Sequence, residues 1–545
     1  MFLLTGDQMG KVDQSAISFY EIPGLILMEN AALSVLEVLR NRYSRLFTLK
    51  IVVLAGKGNN GGDGFVIARH LLRCGAEVDI FTTADLEELR GDAAVNGNIL
   101  HNTGARITKI REGNLDLLKE SLISSHLIID ALLGTGFKGK PHSFLQEIIE
   151  LVNKAPGEVV AVDIPSGVNA ATGKVAGEAV RADITVTFAC PKVGMLFYPG
   201  ANFCGEIFIA DIGIPAKVFE DLEPAGRVIT PVEVKEKLPP RFADAHKGTY
   251  GRITFLAGSP GMTGAAVLAG RAALRGGAGL VYIAAPGKAA AVLESKTREE
   301  VVIPLAGDEY GNFAASDLKQ LKPWLEKCSA LAFGPGTSPT EENLLFLHEL
   351  CRASPLPLVL DAGGLGALAL SSEEMPIFPI GTIFTPHPGE MARLSHCSVQ
   401  EVEAKRMEIA RQKSGEWGVI VVLKGAPTVV AAPGGEVFVN STGNTSLSTA
   451  GTGDILTGLI ASLLAQGLEP LPSAYCGVFL HGLAADLWAA RRKSLRGAVA
   501  GDFLEELPHV FSFLQKNLVK PGKFGPLNPC IQKDVFPNAL YFYNR

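Results

Sequence analysis

KIVVLAGKGNNGGDGFVIARHLLRCGAEVDIFT, residues 50–82, is the stretch that decides the fold of the first part of this chain. Its opening run, 50–55, is short, apolar and bounded by glycine, which predicts a buried parallel strand. After a glycine-rich loop over 56–64, apolar residues recur at helical spacing over 65–73, and 77–82 predicts the next strand. The stretch is therefore a strand–helix–strand unit, the building block of an α/β domain with a parallel sheet.

Apolar runs of the same kind continue on both sides of a segment between Pro215 and Pro239 that is rich in charge and proline. They predict strands at 126–132, 158–164, 183–189, 251–257, 279–284, 330–333, 356–360, 382–385, 419–424, 428–432 and 436–440, and helices at 262–275 and from near 454. We therefore expect an α/β protein of two domains with no internal repeat. The expected divisions are a first domain at 1–220, a linker at 221–238, a second domain at 239–507 and a C-terminal extension at 508–545.

Length and composition support this division. The chain has 545 residues, 47% of them hydrophobic and 19% charged, which is too long for one ordinary domain and too apolar for intrinsic disorder. Its net charge of −6 argues against nucleic-acid and acidic-membrane partners. The eight cysteines form no CxxC pair, and no apolar run approaches the ~18 residues of a membrane span. We expect a cytoplasmic protein with reduced thiols.

Polar residues follow the predicted strands of the first half, where an open parallel sheet binds its ligands. They are the loop 56–64, Asp130, Asp163, Ser166 and Lys192. The loop could cradle phosphate or be a tight turn, and its order is not GxGxxG. Asp163 and Lys192 could be an acid–base pair or a structural salt bridge. The oxygens of Asn60, Asp130 and Ser166 suit a hard cation better than zinc.

The second half has its strongest signal at 450–454, AGTGD, which runs into a predicted helix. Small residues and a helix N-terminus favour an anion, and Asp454 could take a proton from an attacking hydroxyl or simply cap the helix. The run 424–428, KGAPT, lies between two predicted strands and could line a nucleotide site. Asp361 ends another strand, and His387 begins a probable helix.

These strings together resemble two known families. Residues 1–215 or so resemble NAD(P)H-hydrate epimerases, through LMENA at 27–31, GNNGGDG at 58–64, DALLGTG at 130–136, DIPSG at 163–167 and CPKVG at 190–194. Residues 240–507 or so resemble ADP-dependent NAD(P)H-hydrate dehydratases of the ribokinase-like group. The strings there are HKGTYG at 246–251, GSPGMTGA at 258–265, GPG at 334–336, TPHPGE at 385–390, KGAPT and AGTGD.

The resemblance implies a Rossmann-like three-layer α/β/α first domain and a ribokinase-like α/β/α second domain. It implies repair of NADH and NADPH whose nicotinamide ring has been hydrated. The first domain would interconvert the R and S hydrates, called NADHX and NADPHX. The second would dehydrate the S form at the expense of ADP, giving AMP and phosphate, through phosphorylation of the ring hydroxyl and elimination of phosphate. A homo-oligomer is expected, with no nucleic-acid partner.

The family's roles are carried over by position. The resemblance places Asp163 and Lys192 near the reacting ring carbon and Asp454 as the base of the dehydratase. K⁺ is expected on Asn60, Asp130 and Ser166, and Mg²⁺ in the second domain. Hydrate binding in the first domain is expected at Asn59, Asn60, Gly61, Gly62, Asp63, Gly134, Thr135, Gly136, Phe137, Lys138, Gly139, Lys140 and Asp163. In the second domain, hydrate binding is expected at Ala265, Gly336, His387 and Asp454, and ADP binding at Lys424, Gly425, Ala426, Pro427, Thr428 and Gly453.

One departure and two rival functions stand beside this expectation. After Asp361 the chain reads AGGLGAL, so Gly363 and Gly366 stand where the family pattern has polar residues. The first rival is a ribokinase-like vitamin-precursor kinase with a non-catalytic first domain, since the GTGD motif occurs there too. The second rival is a scaffold, against which the Asp163–Lys192 pair and the absence of a basic-aromatic stripe count.

Overall fold

The computed structural model describes residues 1–371, 375–516 and 540–543. The described residues form two compact units, residues 1–226 together with 540–543, and residues 227–516 apart from 372–374. Each unit contains one extended sheet that is largely or wholly parallel.

The first unit alternates strands and helices along the chain. Its strands are β1 (Phe2–Leu3), β2 (Lys50–Ala55), β3 (Glu77–Thr82), β4 (Ile107–Lys109), β5 (Leu127–Ala131), β6 (Glu158–Val162), β7 (Ile184–Phe188) and β8 (Glu206–Ala210). Its helices are α1 (Gly6–Ser18), α2 (Gly24–Arg42), α3 (Asn59–Arg73), α4 (Gly91–Asn102), α5 (Leu115–Ser124), α6 (Ser143–Lys154) and α7 (Val193–Leu196).

The sheet of this unit has the order β4-β3-β2-β5-β6-β7-β8, with every neighbouring pair parallel. The terminal strand β19 (Leu540–Tyr543) adds to β8, also in parallel. The order reverses between β2 and β5, and such a switch point is where open α/β sheets bind ligands at the carboxyl ends of their strands.

The central strand β2 shows why helices cover both faces. Ile51, Val53 and Ala55 point into a core that includes buried residues of α2 and α3. Val52 and Leu54 point into a second core built with α5 and α6. Alternate side chains of a strand face opposite sides of the sheet, so an unbroken apolar run requires both faces to be covered. The result is the expected three-layer α/β/α domain.

The second unit continues from β9 and repeats this alternation with more elements. Its strands are β9 (Gly226–Val228), β10 (Arg252–Leu256), β11 (Leu280–Pro286), β12 (Val301–Leu305), β13 (Ala330–Phe333), β14 (Leu358–Leu360), β15 (Ile383–Phe384), β16 (Ile420–Leu423), β17 (Val429–Ala431) and β18 (Val437–Val439). Its helices are α8 (Pro231–Lys237), α9 (Thr263–Gly276), α10 (Gly287–Lys296), α11 (Asp317–Leu325), α12 (Glu341–Ala353), α13 (Ala362–Leu368), α14 (Pro388–Ser395), α15 (Val399–Ala404), α16 (Arg406–Trp417), α17 (Thr452–Ala465), α18 (Pro470–Arg492) and α19 (Ala500–Lys516).

In this unit the sheet order is β9-β18-β17-β16-β15-β14-β13-β10-β11-β12. Its strands are parallel except for the antiparallel pairs β16–β17 and β17–β18. The helices α9, α17, α18 and α19 pack against one another, and α17 contacts β10, β13 and β14. A Cβ on Gly458 of α17 would collide with the Ala269 carbonyl of α9, so glycine allows the two helices to touch closely.

The strands predicted from the sequence are present with ends shifted by a few residues, and the predicted hairpin at 433–435 joins β17 to β18. Strands β1, β4, β8, β9, β12 and β19 were not predicted. Both β4 and β12 lie at sheet edges, and β12 contains Pro304, which weakens a strand pattern. Residues 221–238, predicted as a linker, contain β9 and α8, and α19 crosses the expected boundary at 507.

Two expectations about membranes and thiols can be compared with the described residues. Within them, no helix combines the length and apolar character needed to cross a membrane. Each cysteine there is a free thiol, while Cys530 lies outside the described residues.

Candidate functional sites

The first candidate site lies at the carboxyl ends of β5, β6 and β7, and its centre is the pair Asp163–Lys192. Lys192 is fully buried, and its ammonium donates to Asp163 Oδ1 at 2.5 Å, to Thr187 Oγ1 at 2.8 Å and to the Phe188 carbonyl at 3.0 Å. The Thr187 hydroxyl also donates to Asp163 Oδ1, at 3.1 Å. The two predicted residues are therefore in direct contact, in surroundings where a lone charge would be unstable.

Asp163 has a backbone conformation that few non-glycine residues adopt. Its φ is +65°, directly after the last residue of β6, and its N–H donates to the Val186 carbonyl at 2.8 Å. Such a conformation costs of order 1–3 kcal/mol and persists only when surrounding contacts hold it. Here those contacts are the neighbouring strand and the ion pair, and they aim the carboxylate toward Lys192.

Asn60, Asp130 and Ser166 form a buried, oxygen-rich cluster beside this pair. The Ser166 hydroxyl donates to Asp130 Oδ1 at 2.6 Å, and the Ser166 N–H donates to Oδ2 at 2.8 Å. The Leu133 N–H donates to Ser166 Oγ at 2.8 Å, and its carbonyl accepts from Asn60 Nδ2 at 3.0 Å. Asn60 Oδ1 is buried with no hydrogen-bond partner among the described residues. An orphaned amide oxygen beside a carboxylate is a fitting place for a cation.

The glycine-rich stretch is more helical than predicted, because α3 begins at Asn59 and includes most of the expected loop. A Cβ on Gly61 would collide with the Gly56 carbonyl, and one on Gly62 would lie 2.7 Å from Met28 Sδ. The glycines therefore let the helix begin against the end of β2. Asp63, the fifth residue of α3, is buried, and burial together with the charge of Asp163 raises its pKa well above the usual value.

The stretch 134–140 lies next to this cluster and becomes exposed along its length. A Cβ on Gly134 would be 3.1 Å from Asn60 Cβ, which places the start of the stretch against the helix N-terminus. Lys138 is exposed and forms an ion pair with Asp7 at 2.9 Å. The exposed lysines of this stretch, Lys138 and Lys140, are at its outer end and give that end positive charge.

Asp13 was not among the predicted residues, yet the structure brings it to this site. It lies on α1, and burial raises the pKa of its carboxyl to about 6, a rise that Lys192 opposes and Asp163 increases. No motif in the sequence marks it, because it is distant along the chain from the strand ends. Its spacing from Met9 and Ala16, both buried, was the one available signal.

The second candidate site has Asp361 at its centre. This carboxylate follows β14 and is buried; its Oδ1 accepts from Lys424 Nζ at 2.7 Å and from Thr385 Oγ1 at 2.8 Å. Its Oδ2 accepts from Thr457 Oγ1 at 2.7 Å. Hydrogen bonds to this one carboxylate therefore connect the ends of β14, β15 and β16 with helix α17. The sequence showed that Asp361 ended a strand but not that it organised the site.

Asp454 lies on the first turn of α17 and has no ion-pair partner among the described residues. Burial, and then the charge of Asp361, raise the pKa of its carboxyl to about 7, while Lys424 opposes the rise. The helix begins after Gly451, whose φ is +90°. A Cβ on Gly453 would lie 3.5 Å from Lys424 Nζ, so the stretches 450–454 and 424–428 adjoin. A carboxylate with this pKa can accept a proton near neutral pH.

His387 caps helix α14 as predicted, in a reciprocal arrangement with Glu390. His387 Nδ1 accepts from the Glu390 N–H at 3.3 Å, and Glu390 Oε2 accepts from the His387 N–H at 2.8 Å. The imidazole is half-exposed, and burial with the nearby Lys424 lowers its pKa. At neutral pH it is therefore an uncharged ring, available to a substrate on its exposed side.

Ala265 and Gly336 are brought together by a tight turn after β13. Gly336 has a φ of +67°, and a Cβ there would lie 3.1 Å from Ala265 Cβ and would collide with the Met262 carbonyl. The Ser259 hydroxyl donates to the Gly336 carbonyl at 2.9 Å. The two predicted residues thus share one surface whose shape depends on the absence of a side chain at 336.

The stretch 424–428 is held by Arg406, which the sequence analysis missed. Arg406 is buried, and its Nη2 donates to the carbonyls of Leu423, Lys424 and Pro427 at 3.1, 2.9 and 3.1 Å. Gly425 has a φ of +144°, and a Cβ there would press into this guanidinium. Arg406 is remote from the stretch along the chain, so only the folded structure reveals this clamp.

The glycines after Asp361 have a structural explanation. A Cβ on Gly363 would collide with the Thr337 carbonyl, and one on Gly366 would lie 2.8 Å from Pro339 Cβ. The short helix α13 therefore packs directly against the segment after β13. A polar side chain at 363 has no space in this chain, which accounts for the departure noted in the sequence.

Two family models match successive parts of the chain. Residues 253–508 match the family model described as NAD(P)H-hydrate dehydratase, and residues 24–194 match the one described as YjeF-related protein N-terminus. The predicted fold class is confirmed in that both domains are α/β, and the second domain matches the NAD(P)H-hydrate dehydratase family model.

Among curated proteins, the bifunctional NAD(P)H-hydrate repair enzyme Nnr of Moorella thermoacetica is 42% identical over 479 residues, 88% of this chain and 90% of the relative. The Escherichia coli enzyme of the same name is 34% identical over 426 residues, 78% of each chain. Among solved structures, the ADP/ATP-dependent NAD(P)H-hydrate dehydratase of Bacillus subtilis, co-crystallised with ATP/Mg²⁺, is 32% identical. The match covers 53% of this chain and 99% of that one, with a TM-score of 0.46.

Proposed function

The chain belongs to the family of bifunctional NAD(P)H-hydrate repair enzymes, and on that premise we propose which residues perform each of its two activities. Membership decides against the rival function of a small-molecule kinase with a non-catalytic first domain. The observation that carries the residue assignment is that each unit has its own ionised pair beside a carboxyl of raised pKa.

In the first domain we propose that the hydrated ring lies against Asp163 and Lys192. The ammonium of Lys192 is buried and fixed by three acceptors, so it orients the Asp163 carboxylate without exposing its own charge. The hydrate's phosphates and ribose would lie along 59–63 and 134–140. The helix N-terminus of α3 and the exposed lysines favour the negative phosphates there.

The potassium site is supported by the donor set. Asn60, Asp130 and Ser166 offer only oxygen, and the orphaned Asn60 Oδ1 lacks the partner that a buried amide oxygen needs. K⁺ bound there would supply a fixed positive charge beside the N-terminus of α3. The ion would keep Asn60 in place at the wall of the hydrate site.

In the second domain we propose that ADP lies along 424–428 and Gly453, and that the S hydrate faces Ala265, Gly336, His387 and Asp454. Asp454 takes the proton of the ring hydroxyl as its oxygen attacks the terminal phosphoryl group of ADP, which releases AMP. The C–O bond of the new phosphate ester then breaks and phosphate leaves with the electron pair, because phosphate is a far better leaving group than hydroxide, while the neighbouring ring carbon loses a proton to solvent. Dehydration in this way restores the ring double bond.

The residues of this site do not form a cage for Mg²⁺. The described residues contain no cluster of three or more His, Cys, Asp or Glu side chains with metal-site geometry. Both oxygens of Asp361 already accept hydrogen bonds. Mg²⁺, if used, would be bound mainly by the nucleotide phosphates, which is usual for this ion.

We further propose ADP as the physiological nucleotide, a cytoplasmic location and a homo-oligomer, with no nucleic-acid partner.

A single absorbance assay tests the proposal. Purified protein is mixed with R and S NADHX, K⁺ and Mg²⁺, then ADP or ATP is added in separate runs and the return of NADH is followed. Complete ADP-dependent recovery of both epimers is the expected result. Recovery of half, limited to the S form, would contradict the first-domain assignment. No recovery with either nucleotide by folded protein would contradict the second-domain assignment.

A further inference from the structure

The buried face of α1 presents one carboxylate that the structure itself does not need. Met9, Val12 and Ala16 are buried on this helix, and Asp13 lies between them at helical spacing. The N-cap is already supplied by Thr5 and Gln8, so Asp13 has no capping role. Among the described residues it has no hydrogen bond or ion pair. A half-buried charge with no partner is costly, which is a reason to look for a function.

The helix that bears Asp13 is fastened to the loop that bears Lys192. Leu4, just before the helix, donates from its N–H to the Pro191 carbonyl at 3.1 Å and accepts from the Val193 N–H at 2.9 Å. Met9 and Val12 pack in one cluster with Cys190. The chain on both sides of Lys192 is therefore bound to this N-terminal segment, which places α1 against the Asp163–Lys192 pair.

Charge interactions agree with this geometry. Lys192 and Asp163 both act on the Asp13 carboxyl, and its pKa is raised to about 6 mainly by burial. Asp163 instead forms a 2.5 Å ion pair with Lys192. One site thus contains a carboxylate that forms an ion pair with a lysine and a second carboxyl that can hold a proton near neutral pH.

Inverting the hydrated carbon needs two such groups. The hydroxyl-bearing carbon adjoins the ring nitrogen, whose lone pair can expel the hydroxyl once a proton reaches its oxygen. The C–O bond then breaks, water departs with the electron pair, and a ring iminium remains. Water must next add to the opposite face of that carbon and give up one proton. One acid and one base are needed, and they exchange roles in the reverse direction.

We propose that Asp13 is the second proton-transfer residue of the epimerase site, acting with Asp163 on the two faces of the hydrated carbon. The proposal rests on the epimerase assignment above. In one direction Asp13 protonates the leaving hydroxyl and Asp163 accepts the proton of the incoming water. The protonation states are restored by the reverse reaction or by exchange with solvent, so protons balance over the cycle.

The test measures epimerisation of the pure R hydrate by the full-length protein without nucleotide. Asp13→Asn should lower kcat about 100-fold or more while KM changes by less than about threefold. Asp13→Glu should recover part of the rate. Gln14→Ala, an exposed neighbour on α1, is the matched control and should leave kcat unchanged. Dehydration of the S hydrate with ADP should be normal in all three variants.

Several results would overturn the inference. One is an Asp13→Asn variant that retains the wild-type kcat while the wild type epimerises normally. Another is a kcat loss found in Asp63→Asn but not in Asp13→Asn, which would assign the proton to the neighbouring buried carboxyl. A wild type that does not epimerise at all would instead contradict the epimerase assignment.

A measurement on the wild type needs no variant. Epimerisation in ¹⁸O-labelled water should place one solvent oxygen in each inverted hydrate. Retention of the original oxygen would mean that the C–O bond does not break, and the two-face route would be wrong. This result stands even if Asp13→Asn fails to fold.

Discussion

Lys424 Nζ lies 2.7 Å from Asp361 Oδ1, and this contact leaves Asp454 as the unpaired carboxyl of the dehydratase site. Lys424 Nζ forms ion pairs with Asp361 at 2.7 Å and with Glu390 at 4.0 Å, and among the described residues it forms none with Asp454. The charge of Asp361 then adds to burial in raising the pKa of Asp454 to about 7. One carboxyl of the site is thereby bound in an ion pair, while the other has a raised pKa that lets it act as a base near neutral pH.

Replacing Asp454 by asparagine should abolish dehydration and leave epimerisation intact. The amide cannot accept the hydroxyl proton, but it preserves the shape of the helix start. NADH return from the pure S hydrate with ADP measures the first activity, and R-to-S conversion without nucleotide measures the second. Surviving ADP-dependent turnover would remove Asp454 as the base.

The dehydratase rate should depend on pH through Asp454. A base whose pKa is raised to about 7 is protonated below that pH, so kcat should fall about tenfold per unit as the pH decreases further. At higher pH the carboxylate is ionised and kcat should level off. Unfolding curves at each pH provide the control for stability. A kcat that is constant from about pH 5 to pH 9 would contradict this ionisation.

Asp163→Asn should leave the R hydrate unconverted. The variant loses the charge that Lys192 is bound to, and repair of the S hydrate should continue because it occurs in the other domain. The mixed R and S assay should then stop near half recovery, apart from spontaneous epimerisation. Complete recovery of both forms at an accelerated rate would contradict the role of Asp163.

Gly363→Ala should destabilise the second domain by about 1–3 kcal/mol, because the new methyl group meets the Thr337 carbonyl. Gly415→Ala is a matched control on α16, where no atom lies nearer than 4.0 Å to the new Cβ. That control should be neutral or stabilising by up to about 1 kcal/mol, since alanine favours helix. Denaturant unfolding of both variants measures the difference. Equal stability of the two variants would mean that close packing does not explain the glycine at 363.

Exchange of K⁺ for Na⁺ should change epimerase activity or hydrate binding. Asn60 Oδ1 is buried without a partner, and a smaller cation would fit its oxygen ligands differently. The dehydratase rate on the S hydrate, measured in the same buffers, is the internal control. Identical epimerase kinetics in both salts, together with no potassium density in a crystal structure, would make the three residues structural.

The sequence predicted much of the fold and of the sites for identifiable reasons. Strand β2 has an apolar run that could only be buried on both faces, and the glycines of 58–64 are adjacent in the chain, so local patterns were sufficient. Lys192 and Asp163 could be suspected because each follows a strand. Their contact, and the +65° φ of Asp163, depend on the packing of neighbouring strands.

The sequence by itself determined the succession of strands and helices, the glycine-rich turns and the family, because these are written in local order and spacing. Only the tertiary structure decided which of these residues contact one another. Asp13 lies near enough to Lys192 for the two charges to interact, because Leu4 is hydrogen-bonded to the residues on both sides of that lysine. Arg406 reaches three carbonyls of a distant loop, and Asp361 gathers groups from several elements. Burial and Coulomb energy depend on the distance between residues in space, and that distance cannot be read from their order along the chain.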